Sequence, residues 1–145
     1  MKRTYFLPDD YIRIVTKIYG KERLGDLNCL AFALGDTRPD DKNHLGYNLN
    51  RYDADEYAIS ISSAFEWECY KRGIEVKRVQ NAESGHRYFR LYGWYDCGDF
   101  HIVRQEPDGT LVHKLGWMIA PTITSDEALQ EEYPEPYILY RVEDE

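Results

Sequence analysis

The stretch "GDFHIVRQEPDGTLVHKLG", residues 98–116, decides how this chain is read. Two apolar runs of period two flank the segment "EPDGT", residues 106–110. Pro107 presets the φ of the second position of a type I turn. Asp108 suits the third position, and Gly109 can take the left-handed conformation that follows. Together they predict a three-residue loop with a G1 bulge. Counting outward, Glu106 faces Thr110, Gln105 faces Leu111, Arg104 faces Val112 and Val103 faces His113. Side chains alternate along a strand, so His113 shares a face with Val103 and therefore with His101. The two histidines become diagonal neighbours, roughly 7–8 Å apart at the backbone and within reach of each other's rings. A two-residue loop would slip the register by one and separate them. Lys114 and Arg104 fall on the opposite face, where structural or partner contacts are expected of them.

Before this hairpin the pattern is helical. "LPDDYIRIVTKIYG", residues 7–20, starts with Pro8, Asp9 and Asp10 and stops at Gly20, as helices do. Its Ile12, Val15, Ile18 and Tyr19 fall at helical spacing. "CLAFALG", residues 29–35, is a short apolar helix closed by Gly35. The polar stretch 36–55 reads as a long loop over the site. "EYAISISSAFEWECYKRG", residues 56–73, is a second long helix with Ile61, Ala64, Phe65 and Cys69 facing inward. After Gly73 the period becomes two. Strands are expected over residues 74–80, 86–96, 100–105, 110–115 and 136–143. The expectation is a single α+β domain over residues 1–145: N-terminal helices packed on one side of an antiparallel meander.

The formal net charge of -8 opposes binding to a phosphate backbone, which depends on Lys and Arg displacing counterions. No nucleic-acid partner is therefore expected. "YKRGIEVKR", residues 70–78, reads as a solvated helix end running into a strand. No stretch approaches the roughly 20 apolar residues that span a bilayer, so no membrane partner is expected either. The N-terminal "MKRTYFLPDD" lacks the apolar core of a signal peptide, and the expected location is the cytoplasm. Three separated cysteines, Cys29, Cys69 and Cys97, make no disulfide framework. Cys69 sits among apolar helix residues and reads as structural, and Cys97 reads as a loop thiol. His44 and His86 read as surface residues.

Cys29 opens an apolar helix. A thiol there feels the partial positive charge of unpaired backbone N–H groups, which favours the thiolate. The same groups can stabilise an oxyanion once sulfur attacks a carbonyl. Asn28 is either a supporting amide or a helix cap. A zinc site drawn from Cys29, Cys97, His101 and His113 is disfavoured. Cys97-x3-His101 is not a familiar ligand pair and no second pair exists, so no metal or cofactor is expected.

A helix-start cysteine, followed by a strand-opening histidine and a polar partner on the next strand, resembles the papain-like cysteine peptidases and amidases, the NlpC/P60 branch in particular. "NCLAFALG" and "DFHIVRQEPDGTLVHKLG" carry the resemblance, over about a quarter of the chain. It implies a papain-like fold and an amide hydrolase working through an acyl-enzyme on a peptide or protein substrate. Cys29 would be the nucleophile, His101 its base and later acid, and His113 the residue that orients His101. Asp99 is a reserve for that last role. The alternative is an inactive protein of this fold that binds a protein partner, such as a phage-encoded inhibitor.

Overall fold

The computed structural model describes residues 3–39, 54–93, 100–115 and 120–143. Four helices and six strands follow one another as α1 (Pro8–Tyr19), α2 (Cys29–Ala33), α3 (Ala54–Lys71), β1 (Val76–Val79), β2 (Tyr88–Tyr92), β3 (His101–Gln105), β4 (Leu111–His113), β5 (Thr122–Thr124), α4 (Asp126–Glu132) and β6 (Ile138–Val142). A 3-10 helix, Lys21–Asp26, joins α1 to α2. The class is α+β with an open, fully antiparallel six-stranded sheet.

The hairpin forms as its turn residues dictate. Glu106 N–H donates to Thr110 at 2.8 Å and Gly109 N–H donates back to Glu106 at 2.8 Å. Gly109 has φ 92°, and the Asp108 carboxylate accepts from Thr110 N–H at 2.9 Å. Arg104 pairs with Val112 and Gln105 with Leu111, which is the counted register.

Two expectations are corrected. The sheet order is β1-β6-β2-β3-β4-β5, so β6 is inserted between β1 and β2 and the sheet is not a simple meander. Helices also cover both faces rather than one. α4 lies on the second face, where Leu129 and Tyr133 pack on Tyr92, Val103 and Leu111. Its start is set by Ser125, whose hydroxyl accepts from Ala128 N–H at 3.2 Å. This cap-and-helix signal sits in the polar stretch "TSDEALQEE", which the strand pattern passes over.

On the first face, α2 and α3 pack against Phe89, Leu91, Ile102, Ile138 and Tyr140. Ile61, Phe65 and Cys69 of α3 are buried there as expected, with Ala64 half-buried beside them. A neighbouring cluster joins Tyr11 and Val15 of α1 to Ala31, Phe32 and Val112. α1 turns inward on Pro8, Tyr11 and Val15, leaving Ile18 60% exposed. Tyr11 owes its place to its polar tip, since its hydroxyl donates to the Asp36 carbonyl at 2.6 Å. All five residues of β2 are buried, as a strand covered on both faces requires.

Two glycines hold left-handed backbone for different reasons. Gly109 meets nothing within 4 Å of an added Cβ, whereas a Cβ on Gly35 (φ 72°) would stand 2.4 Å from the Thr4 carbonyl oxygen. Gly109→Ala should therefore cost about 1–2 kcal/mol of backbone strain. Gly35→Ala should cost clearly more, because strain and a backbone clash add. Urea midpoints of the two variants check the order.

Candidate active site

β3 and β4 carry the site. The ring of His101 meets that of His113, Nε2 to Nδ1, at 2.8 Å, with centroids 4.9 Å apart. One nitrogen donates and the other accepts, which requires at least one neutral ring. Both rings lie on the α4 face: His101 stacks on Tyr133 at 5.5 Å with an interplanar angle of 12°. His101 is 2% exposed and His113 6%. Burial drives the pKa of His101 down to about 3, helped by the neighbouring His113, and burial lowers that of His113 as well. The pair is a neutral, linked imidazole dyad.

Cys29 occupies the other face. It belongs to the cluster that contains Ile102, the residue that follows His101 in the chain. The backbone N–H groups of Ile102 and Leu30 face its sulfur. The structure thus brings His101 and His113 together and places the thiol in a cluster with Ile102, on the other face. Among the described residues, the thiol and the rings share no hydrogen bond. The expectation that the N-terminus of α2 favours a thiolate is corrected. Burial pushes the Cys29 thiol up to about 11, against the opposing pull of those N–H groups and of Lys114. A five-residue helix supplies too small a dipole to outweigh desolvation.

Asn28 caps α2, its side-chain oxygen accepting from Ala31 N–H at 3.0 Å. Asp99, Cys97, His44 and most of the expected site-covering loop lie outside the described residues. Among the described residues, no group of three His, Cys, Asp or Glu side chains could hold a metal ion. His86 is exposed and meets the Tyr88 ring edge-on. Cys69 is fully buried, its thiol raised to about 12 by desolvation.

Arg104 and Lys114 share the face opposite the imidazoles, as the register requires. That face is the interior of the first layer, and both are 0% exposed. Arg104 donates to Glu106 and to the carbonyls of Phe32, Ala33 and Phe6, at 3.0 Å for Phe32. Lys114 lies on the thiol's side and interacts electrostatically with Cys29. The parity that keeps Lys114 away from His113 places it with Ile102 and Val112.

No family model matches the chain, and neither curated proteins nor solved structures show significant similarity to it. Among the described residues no helix is long and apolar enough to cross a membrane.

The imidazole dyad makes a pH prediction. A histidine buried neutral is protonated more readily in the unfolded chain, near 6.5, than in the fold, near 3 for His101. Its share of stability is complete above about pH 6.5 and is lost as pH falls toward 3. The slope is about 1.4 kcal/mol per pH unit for each such proton. Urea unfolding between pH 7 and 4 should show this decline, and His101→Phe should flatten it.

Proposed function

We propose that this chain is a papain-like, cysteine-dependent amide hydrolase, a peptidase or amidase of the NlpC/P60 type acting through an acyl-enzyme. The observation that carries it is the junction at residues 101–102. The Ile102 N–H faces the Cys29 sulfur while the adjacent His101 ring is bonded to His113. One stretch of backbone therefore joins a thiol to a linked imidazole pair. Cys29 attacks the carbonyl, the N–H groups of Leu30 and Ile102 support the developing negative charge, and the amine leaves with a proton. His101 is the base and then the acid, with His113 setting its tautomer.

The resting geometry demands one movement. His101 must leave its stack on Tyr133, and because strand alternation sends its side chain to the α4 face, the start of β3 must twist with it to bring the ring to the thiol. Catalytic contacts are commonly loose before substrate binds and tighten in the complex. The substrate class is a peptide or protein amide.

A second reading, an inactive protein of the same fold that docks on a protein partner, is favoured by two observations. The thiol is buried and held protonated. A cleft of about 1060 Å³ at the hairpin tip is lined by Leu7, Asp9, Arg87, Asp108 and Ile123. Leu7 and Ile123 there are 49% and 68% exposed.

Turnover decides between them. Purified chain is incubated with peptidoglycan peptides and with a proteome-derived peptide mixture, and acyl adducts are sought by mass spectrometry. Under the hydrolase reading an adduct forms on Cys29 and Cys29→Ala abolishes it. His101→Ala should slow its formation roughly 10²–10⁴-fold. Absence of any adduct, with His101→Ala indistinguishable from the parent chain, leaves the docking protein.

A further inference from the structure

The two edges of the sheet are finished differently. β1 bounds one edge with "VKRV", whose Lys77 and Arg78 are exposed. Charged side chains there discourage a foreign strand from pairing. β5 bounds the other edge with "TIT". It carries no charge, and among the described residues nothing pairs with it on the side away from β4. Ile123, its central residue, is 68% exposed.

The register places that side chain. Ile123 pairs with Val112, which packs with Tyr11 and Val15 of α1, so Ile123 lies on the same face of the sheet. There it borders the cleft of about 1060 Å³ that also takes in the start of α1 and the hairpin tip. Leu7, 49% exposed, lines the cleft as well. The charges on its wall are one-sided, with Asp9, Asp10, Glu106 and Asp108 set against Arg87. Arg87 is engaged, standing 3.0 Å from the Glu106 carboxylate with its guanidinium 4.4 Å over the Tyr5 ring. Asp9 and Asp108 are exposed. A bare strand edge, two exposed aliphatic side chains and an acidic rim therefore meet in one place.

We propose that β5 and this cleft take up an extended, basic segment of a partner protein, which adds to the sheet as a further strand. Its backbone pairs with β5 and one aliphatic side chain covers Ile123 and Leu7. A lysine or arginine two residues away, on the same face, meets Asp108 or Asp9. A second copy of this chain fits poorly, because it brings the same carboxylates and a net charge of -8. None of Cys29, His101 and His113 lines the cleft. The proposal rests on the docking reading only in placing a partner here, and it holds equally for an active hydrolase.

The probe is an acetylated, amidated peptide, Lys-Thr-Val-Thr-Lys. As a strand it puts its lysines and valine on one face and its threonines on the other. Binding to the full chain is followed by amide NMR shifts and by fluorescence anisotropy of a labelled copy. Shifts should centre on residues 122–124, Leu7 and Asp9. Glutamate in place of both lysines should weaken binding about tenfold or more. Two further peptides are N-methylated at the two alternate sets of amides. One should lose binding and the other keep it, because only one edge of the added strand faces β5.

Ile123→Lys gives β5 the kind of guard that β1 carries. It should weaken the peptide about tenfold or more at an unchanged melting temperature, since the site is exposed. Asp9→Asn combined with Asp108→Asn keeps an acceptor for Thr110 N–H. The pair should weaken binding about twofold to tenfold and flatten its salt dependence. Absence of shifts at residues 122–124 with about 1 mM peptide would overturn the proposal. So would equal binding of the glutamate peptide, equal binding of both N-methylated peptides, or an Ile123→Lys variant that binds like the parent. A dimer in sedimentation that Ile123→Lys dissolves would assign the edge to a second copy and overturn it too. The peptide series uses the unaltered chain, so it decides even where a variant fails to fold. Loss of peptide binding while acyl adducts form on Cys29 leaves the hydrolase standing. Binding at β5 without adducts leaves this docking site standing.

Discussion

The closure of the β3–β4 hairpin by Glu106 and Thr110 is the constraint on which the rest depends. It fixes which residues share a rung, and alternation then assigns every side chain on both strands to a face. The consequences run in opposite directions through the sheet. Ile102, Arg104, Val112 and Lys114 are committed to the layer built by α1, α2 and α3. His101, Val103, Leu111 and His113 are committed to the layer closed by α4. A slip of one residue would turn one strand over, separating the two imidazoles and sending either the guanidinium or the ammonium to the other side.

Arg104 makes that register costly to lose. Its guanidinium is wholly buried, yet it reaches Glu106 at the hairpin, the Phe32 and Ala33 carbonyls where α2 ends, and the Phe6 carbonyl before α1. Three segments distant in sequence are tied to one side chain. A buried charge left without such partners would be strongly destabilising, so the network favours this packing over near alternatives. Glu106 also binds Arg87, whose Nη2 lies 3.0 Å from its carboxylate, and Gly85 N–H donates to Pro107 at the loop tip. The hairpin is thus anchored at its turn.

At the far ends of β3 and β4, burial outweighs local electrostatics. Desolvation keeps the Cys29 thiol protonated and the imidazoles neutral, and it makes the ammonium of Lys114 easy to discharge. Four titratable groups lie on two adjacent strands and the helix above them, each displaced toward its uncharged form. Their uncharged state is set by the packing around them rather than by their neighbours' charges.

The sequence by itself determined the α+β class, the helices around Val15, Phe32 and Phe65, the hairpin register and the pairing of His101 with His113. These follow from turn chemistry and period, which act over a few residues and so are written locally. It carried the Asn28 cap as one of two alternatives, and strand parity placed Lys114 and Arg104 on the face away from the histidines. Tertiary structure alone decided that β6 enters between β1 and β2, because strand order depends on contacts more than 40 residues apart in the chain. It alone placed α4 on the second face, through the burial of Leu129 and Tyr133. It also decided that the thiol and the imidazoles face opposite sides of the same two strands. No local pattern records which face of a sheet a distant helix covers; that is settled by where its apolar residues find the most surface to bury.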